Sequence, residues 1–100
     1  MSVQLVAIYS TPDDPHAFDA HYRKFHTPLA KKIPGLQSLT VDRTAAKVMG
    51  DADIYMVARM QFADEEVFAK AMASAENREA GKDLMSFAKG KVTLLKTVDG

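Results

Sequence analysis

The sequence predicts an α+β domain of order β-α-β-β-α-β, an antiparallel four-stranded sheet carrying its helices on one face. Three features point there. Val3 to Tyr9 is almost wholly apolar and runs into Ser10-Thr11-Pro12-Asp13, as a buried strand runs into a turn. Phe18, Tyr22, Phe25, Leu29 and Ile33 then recur at offsets of three and four, one apolar stripe along a helix that must cover the sheet. Strand-like segments come next at Leu36 to Thr44, Ile54 to Phe62 and Val92 to Val98, with a second helical region between the last two.

The punctuation agrees with this order. Asp14 caps the first helix with Pro15 in its first position, and Pro34-Gly35 stops it. Ala45 to Asp53, with Gly50-Asp51 inside it, reads as a hairpin loop. Asp64 caps a helix with Val67, Phe68, Ala71 and Met72 on one side, and Ser74 to Asn77 interrupts it. Leu84, Phe87 and Ala88 give a third helical stretch its apolar side before Gly90 ends it. No repeat, linker or low-complexity tract intervenes, so residues 1–100 read as one domain on the split βαβ, or ferredoxin-like, plan.

Composition narrows the function classes. Thirteen basic and thirteen acidic residues cancel, so nothing in the charge balance favours nucleic acid or an anionic membrane surface as a partner. The absence of cysteine excludes disulfides, thiolate nucleophiles and thiolate metal sites, and fits the cytoplasm. No segment approaches a membrane span, and the amino terminus lacks the pattern of a cleaved signal, so a soluble, unprocessed protein is expected. Metallochaperone, RNA-binding and nucleotide-enzyme readings fall away with the missing Cys-x-x-Cys, aromatic RNA-binding signature and Gly-rich phosphate loop.

Right-handed crossovers place both helical regions on one side of the sheet, yet the strands look apolar on both sides. Val3, Leu5 and Ala7 alternate with Val6 and Ile8, and Ile54, Met56 and Met60 alternate with Tyr55 and Val57. An antiparallel sheet with one wet face alternates more cleanly. A homodimer packed through the sheet face is therefore expected.

His26 lies in Phe25-His26-Thr27-Pro28-Leu29, where a helix meets a proline. Pro28 cannot donate to the carbonyl of Lys24 and disfavours helical angles at Thr27, so a kink or restart is expected, with Thr27 capping the new turn. Free carbonyls at that point favour the imidazolium, whereas burial among Tyr22, Phe25 and Leu29 favours the neutral ring. His26 has two readings: a base at a helix break, or a structural histidine bonded to a freed carbonyl.

Tyr22-x-x-x-His26-x-Pro28-Leu29, with Lys32-Ile33-Pro34-Gly35-Leu36 after it, resembles the signature of the EthD family, small proteins named for ethyl tert-butyl ether degradation. Phe62, Asp64, Phe68, Met72, Ser74, Leu84 and Phe87 resemble the family's second half, so the likeness covers essentially the whole chain. An aromatic other than tyrosine is also common where Tyr22 stands. The resemblance implies a ferredoxin-like subunit pairing sheet to sheet into a dimeric α+β barrel, with a cleft between helices and sheet overlooked by His26. Members and structural relatives include proteins of ether catabolism, fungal polyketide decarboxylases and dehydratases, and cofactor-free monooxygenases or isomerases. One fold hosts unrelated functions, so no single reaction transfers with it.

Each remaining candidate carries a plain alternative. Tyr22, one helical turn before His26, could orient the imidazole or simply pack in the core. Phe25, Leu29, Met56 and Met60 are the expected binding residues of the cleft, with Met72 and Met85 as further adaptable walls or ordinary core. His16, His21 and His26 suggest a metal, but a spacing of five turns each about 140° from the last on an α-helix. They are not expected to converge, His16 and His21 are expected in solvent, and no metal is assigned. Arg59 and Gln61 share the phase of Tyr55 and Val57 and fall at a dimer interface or barrel interior, or else at a solvated or paired edge.

Two functions of different classes result. One is a cofactor-independent enzyme acting on a small hydrophobic, oxygenated or aromatic molecule, with His26 as acid or base and Tyr22 as its partner. The other is a non-catalytic binding or accessory protein that holds such a molecule for a catabolic enzyme system. A second polar group within reach of His26 would favour the enzyme, and Tyr22, Tyr9, Asp42 and Arg59 are the candidates.

Overall fold

The computed structural model describes residues 2–100. The elements run β1 (Val3–Tyr9), α1 (Pro15–His21), a π-helical turn (Tyr22–His26), α2 (Thr27–Ala30), β2 (Ser38–Arg43), β3 (Met56–Phe62), α3 (Glu65–Met72), α4 (Ala75–Ala88) and β4 (Val92–Val98). The strands form one antiparallel sheet in the order β2-β3-β1-β4, the ferredoxin-like arrangement expected.

The caps act as the sequence predicts. Asp14 accepts from the backbone N–H of Ala17, and Asp64 from that of Val67. Ser74 accepts from the N–H of Asn77, so it starts α4, and the interruption expected at Ser74 to Asn77 shrinks to the two residues between α3 and α4. Strand β2 is shorter than Leu36 to Thr44, because Leu36 still belongs to the turn, its N–H on the carbonyl of Ile33. Strand β3 begins at Met56 rather than Ile54.

Register decides which side chains see the helices. Val3 stands opposite Phe62, Leu5 opposite Met60, Ala7 opposite Ala58 and Tyr9 opposite Met56. These residues share one face, and Phe18, Tyr22, Leu84 and Ala88 pack over one half of it while Ile33, Phe68, Ala71 and Ala80 pack over the other. The opposite phase, Val6, Ile8, Val57 and Leu95, belongs to neither cluster, and Leu95 is 42% exposed. Arg59 and Asp42 lie on this bare face and pair with each other at 2.7 Å.

The segment around His26 departs from the expectation. Thr27 keeps helical angles (φ −56°, ψ −46°), and its N–H reaches back five residues to the carbonyl of Tyr22. The chain does not restart under a Thr27 cap: a π turn takes the place of the α-helical bond that Pro28 cannot make, and helical backbone continues into α2. Among the described residues no helix is long and apolar enough to cross a membrane.

Candidate active site

The π turn decides what His26 can reach. In a turn whose hydrogen bonds span five residues, side chains five apart come onto nearly the same face. His21 and His26, set about 140° apart by an α-helix, therefore converge on one carboxylate, that of Asp83 in α4. His26 Nδ1 is 3.0 Å from Asp83 Oδ2, and His21 Nε2 is 2.8 Å from Asp83 Oδ1. The expected non-convergence of these two rings is thus overturned, for the single reason that the local helix is not α. His21 is half-buried in this pair, whereas His16 is exposed as expected.

An ionised carboxylate only accepts, so Nδ1 of His26 and Nε2 of His21 carry the bonding protons. The neutral ring of His26 then has Nε2 as its unprotonated, basic nitrogen. His26 is 6% exposed. Burial pushes its pKa below the ordinary imidazole value, the hydrogen bond and charge of Asp83 work against that fall, and nearby His21 adds to it. The result is a neutral imidazole at neutral pH, with a carboxylate placed to stabilise the cation formed when Nε2 takes a proton.

His26 lines a cleft of about 120 Å³ between α4 and the sheet. Leu5, Ala7, Ile33, Met60 and Leu84 supply most of its apolar wall, and Leu94, 48% exposed, stands at its rim. Tyr9 also borders it, 1% exposed, with its hydroxyl paired to that of Tyr22 and its pKa raised, first by burial, so that it remains a phenol. Asn77 is the other polar neighbour, but its side-chain amide already donates to the carbonyl of Met72 at 3.2 Å.

Of the residues expected to act or bind here, His26 and Met60 reach the cleft. Tyr22 lies behind it: its ring packs 5.4 Å from that of His26 and edge to face with Tyr9 at 5.8 Å, and burial raises its hydroxyl to about 12. The partner bonded to His26 is Asp83, not Tyr22. Phe25 points outward, 51% exposed, with its ring against His21 at 5.1 Å. Leu29 packs on the core around Ile33 and Phe68, and Met56 is sealed in the core around Tyr9 and Phe18. The π turn takes Phe25 off the face an α-helical stripe would give it, whereas Leu29 keeps to that face and packs on the core beside the cleft rather than lining it. Met72 also lines the cleft, whereas Met85 is 48% exposed.

Asp83 carried one signal in the sequence. It sits at the helical offset between Ala80 and Phe87, beside Leu84, so it is a lone carboxylate on the edge of an apolar face. Among the described residues no three metal-ligating side chains are placed to hold an ion.

Comparison with known proteins accords with the fold. The EthD domain pattern matches residues 11–91. An 11.0 kDa protein encoded between thcB and thcC in Rhodococcus erythropolis is 32% identical over 94 residues, covering 94% of this chain and 91% of that protein. A crystal structure of an EthD family protein from Bacillus halodurans is 39% identical, with a TM-score of 0.93 and full coverage of both chains. SnoaB of Streptomyces nogalater, a cofactor-independent oxygenase, shares the fold at 16% identity and a TM-score of 0.69, over 99% of this chain and 93% of its own. With the motif around His26, the fold and both close relatives in agreement, this chain belongs to the EthD family.

Proposed function

We propose that the protein converts a small apolar molecule bearing an oxygen, held in the cleft, with His26 Nε2 as the general base and Asp83 as the group that orients and charges it. One observation carries the reading: a 6% exposed histidine faces an apolar cleft with one nitrogen committed to a carboxylate at 3.0 Å and the other without a protein partner among the described residues. The chemistry is a proton taken from a carbon or hydroxyl acidified by the substrate's own oxygen, returned later from the same imidazolium. Only groups that this chain supplies take part. Tyr9 borders the same cleft with its hydroxyl paired to that of Tyr22, so a substrate oxygen would have to draw this donor away from Tyr22.

His26→Gln separates this from the carrier reading. Native mass spectrometry of wild type and variant, each purified from the natural host, should find different bound molecules, product-like in the first and unconverted in the second. The same molecule in both would make the protein a carrier. With a substrate in hand, the variant should lose a factor of about 10²–10⁴ in kcat, the usual worth of a positioned base.

The bare sheet face completes the proposal. Ile8, Val57 and Leu95, with the buried Val6 between them, form an apolar patch on a face without helices, and a second copy offers the same patch to cover it, giving a sheet-to-sheet homodimer. Leu95→Lys, which places a charge in that contact, should shift the mass in solution from dimer to monomer in sedimentation equilibrium at micromolar concentration. A monomeric wild type would refute the dimer.

A further inference from the structure

Gly81 stands in the middle of α4, seven residues before its end at Ala88, where glycine is the least favourable helical residue after proline. Two structural reasons for such a glycine are excluded. Its backbone needs no left-handed angle, since the positive φ values belong to Gly35, Gly50 and Gly90. Its packing needs no close approach, because a Cβ built there would meet no atom within 4 Å. The space it leaves open is the cleft, which Gly81 lines one turn from Asn77 and beside Ala80 and Leu84.

We infer that Gly81 sets the size of ligand the cleft admits, so that its missing methyl makes room, opposite the sheet wall, for the apolar end of a one-ring or short branched molecule whose oxygen faces His26. The inference rests on the proposed binding of an oxygenated apolar molecule in this cleft. The cleft's roughly 120 Å³ is close to the engineered cavity of about 150 Å³ that takes up benzene. At that scale one methyl matters, being comparable in bulk to a water molecule, whose share of the liquid is about 30 Å³. The wall opposite the helix is fixed, since Leu5 and Ala7 belong to the central strand β1, so a ligand pressed by a new methyl on α4 has no compliant side to yield. Nor can the helix readily withdraw, because Leu84 and Ala88 anchor it in the core one and two turns further on.

Gly81→Ala separates stability from size selection, because the two move in opposite directions. The variant should unfold about 4 °C or more above wild type, as expected for an alanine replacing a mid-helix glycine in open space. Isothermal titration of the protein with phenol and with 4-ethylphenol supplies the second reading. Wild type should bind both; the variant should keep phenol within about threefold and lose 4-ethylphenol by at least tenfold. An unchanged ratio of the two affinities, or a lower melting temperature, would overturn the role of Gly81 while leaving the cleft intact. Failure of wild type to bind either phenol would overturn the reading of the cleft, and the role of Gly81 with it.

Discussion

Asp83→Asn should leave the domain folded, lower the titration midpoint of His26 further below the ordinary imidazole value of about 6.5, and reduce conversion of the bound molecule a hundredfold or more. Two opposing influences on His26 give this result. Burial lowers its pKa and would remain in the variant, whereas the hydrogen bond and charge that Asp83 supplies against that fall would lose their ionic part. The cation formed at His26 when it takes a proton would then lie in a half-apolar site without its counter-charge. An asparagine side chain is nearly the same shape, so the loss is electrostatic rather than steric. It also offers only one acceptor to two ring N–H groups, and either His21 or His26 must exchange its tautomer. Titration of the His26 ring by NMR checks the shift. An unmoved midpoint would remove Asp83 from the mechanism and leave it a structural brace. The same depressed pKa fixes the sign for stability. The unfolded chain binds the proton first, so the contribution of neutral His26 is complete above about pH 6.5 and is lost as pH falls through its lower folded value. In Asp83→Asn that loss continues to lower pH.

The order of strands and helices could be read in the sequence because each rests on local patterning. Phe18, Tyr22 and Ile33 do face the core as their stripe requires, Asp14 and Asp64 cap their helices, and Val3 to Tyr9 and Val92 to Val98 keep their predicted bounds. The site could be read only in part. His26 is marked by Pro28, but its partner lies 57 residues away on another helix, and no local period specifies which carboxylate a crossover brings beside it. The π turn was hidden for a different reason. Proline announces that the α-helical bond to Lys24 fails, and it does not say whether the chain breaks or widens. That single ambiguity carried through to the neighbours: it set His21 in solvent rather than on Asp83, and put Phe25 on the cleft that it does not line.

Gly35→Ala should be the most damaging glycine-to-alanine change in the protein, lowering stability by about 2–5 kcal/mol. Gly35 has φ +82°, a left-handed conformation in which a Cβ costs about 1–2 kcal/mol. A Cβ there would also be driven into Cγ1 of Val67, where α3 packs against the end of the first crossover, and forced overpacking costs a further ~1–3 kcal/mol. For a domain of this size the sum is a large share of a total stability of about 5–15 kcal/mol, and the melting temperature should fall on the order of 20 °C. Gly90→Ala provides the control. Gly90 has nearly the same angle, φ +78°, but a Cβ there meets nothing within 4 Å, so only the backbone cost of about 1–2 kcal/mol should appear. A double-mutant cycle with Val67→Ala isolates the contact: shortening Val67 should return part of the loss caused by Gly35→Ala, with a coupling of about 1 kcal/mol or more. The consequence reaches the site, because Ile33, two residues upstream, forms one wall of the cleft and is fixed by the turn that Gly35 closes, the N–H of Leu36 bonding the carbonyl of Ile33. Equal losses for Gly35→Ala and Gly90→Ala in chemical denaturation would mean that the turn does not press on α3, and that Ile33 is held by something other than this approach.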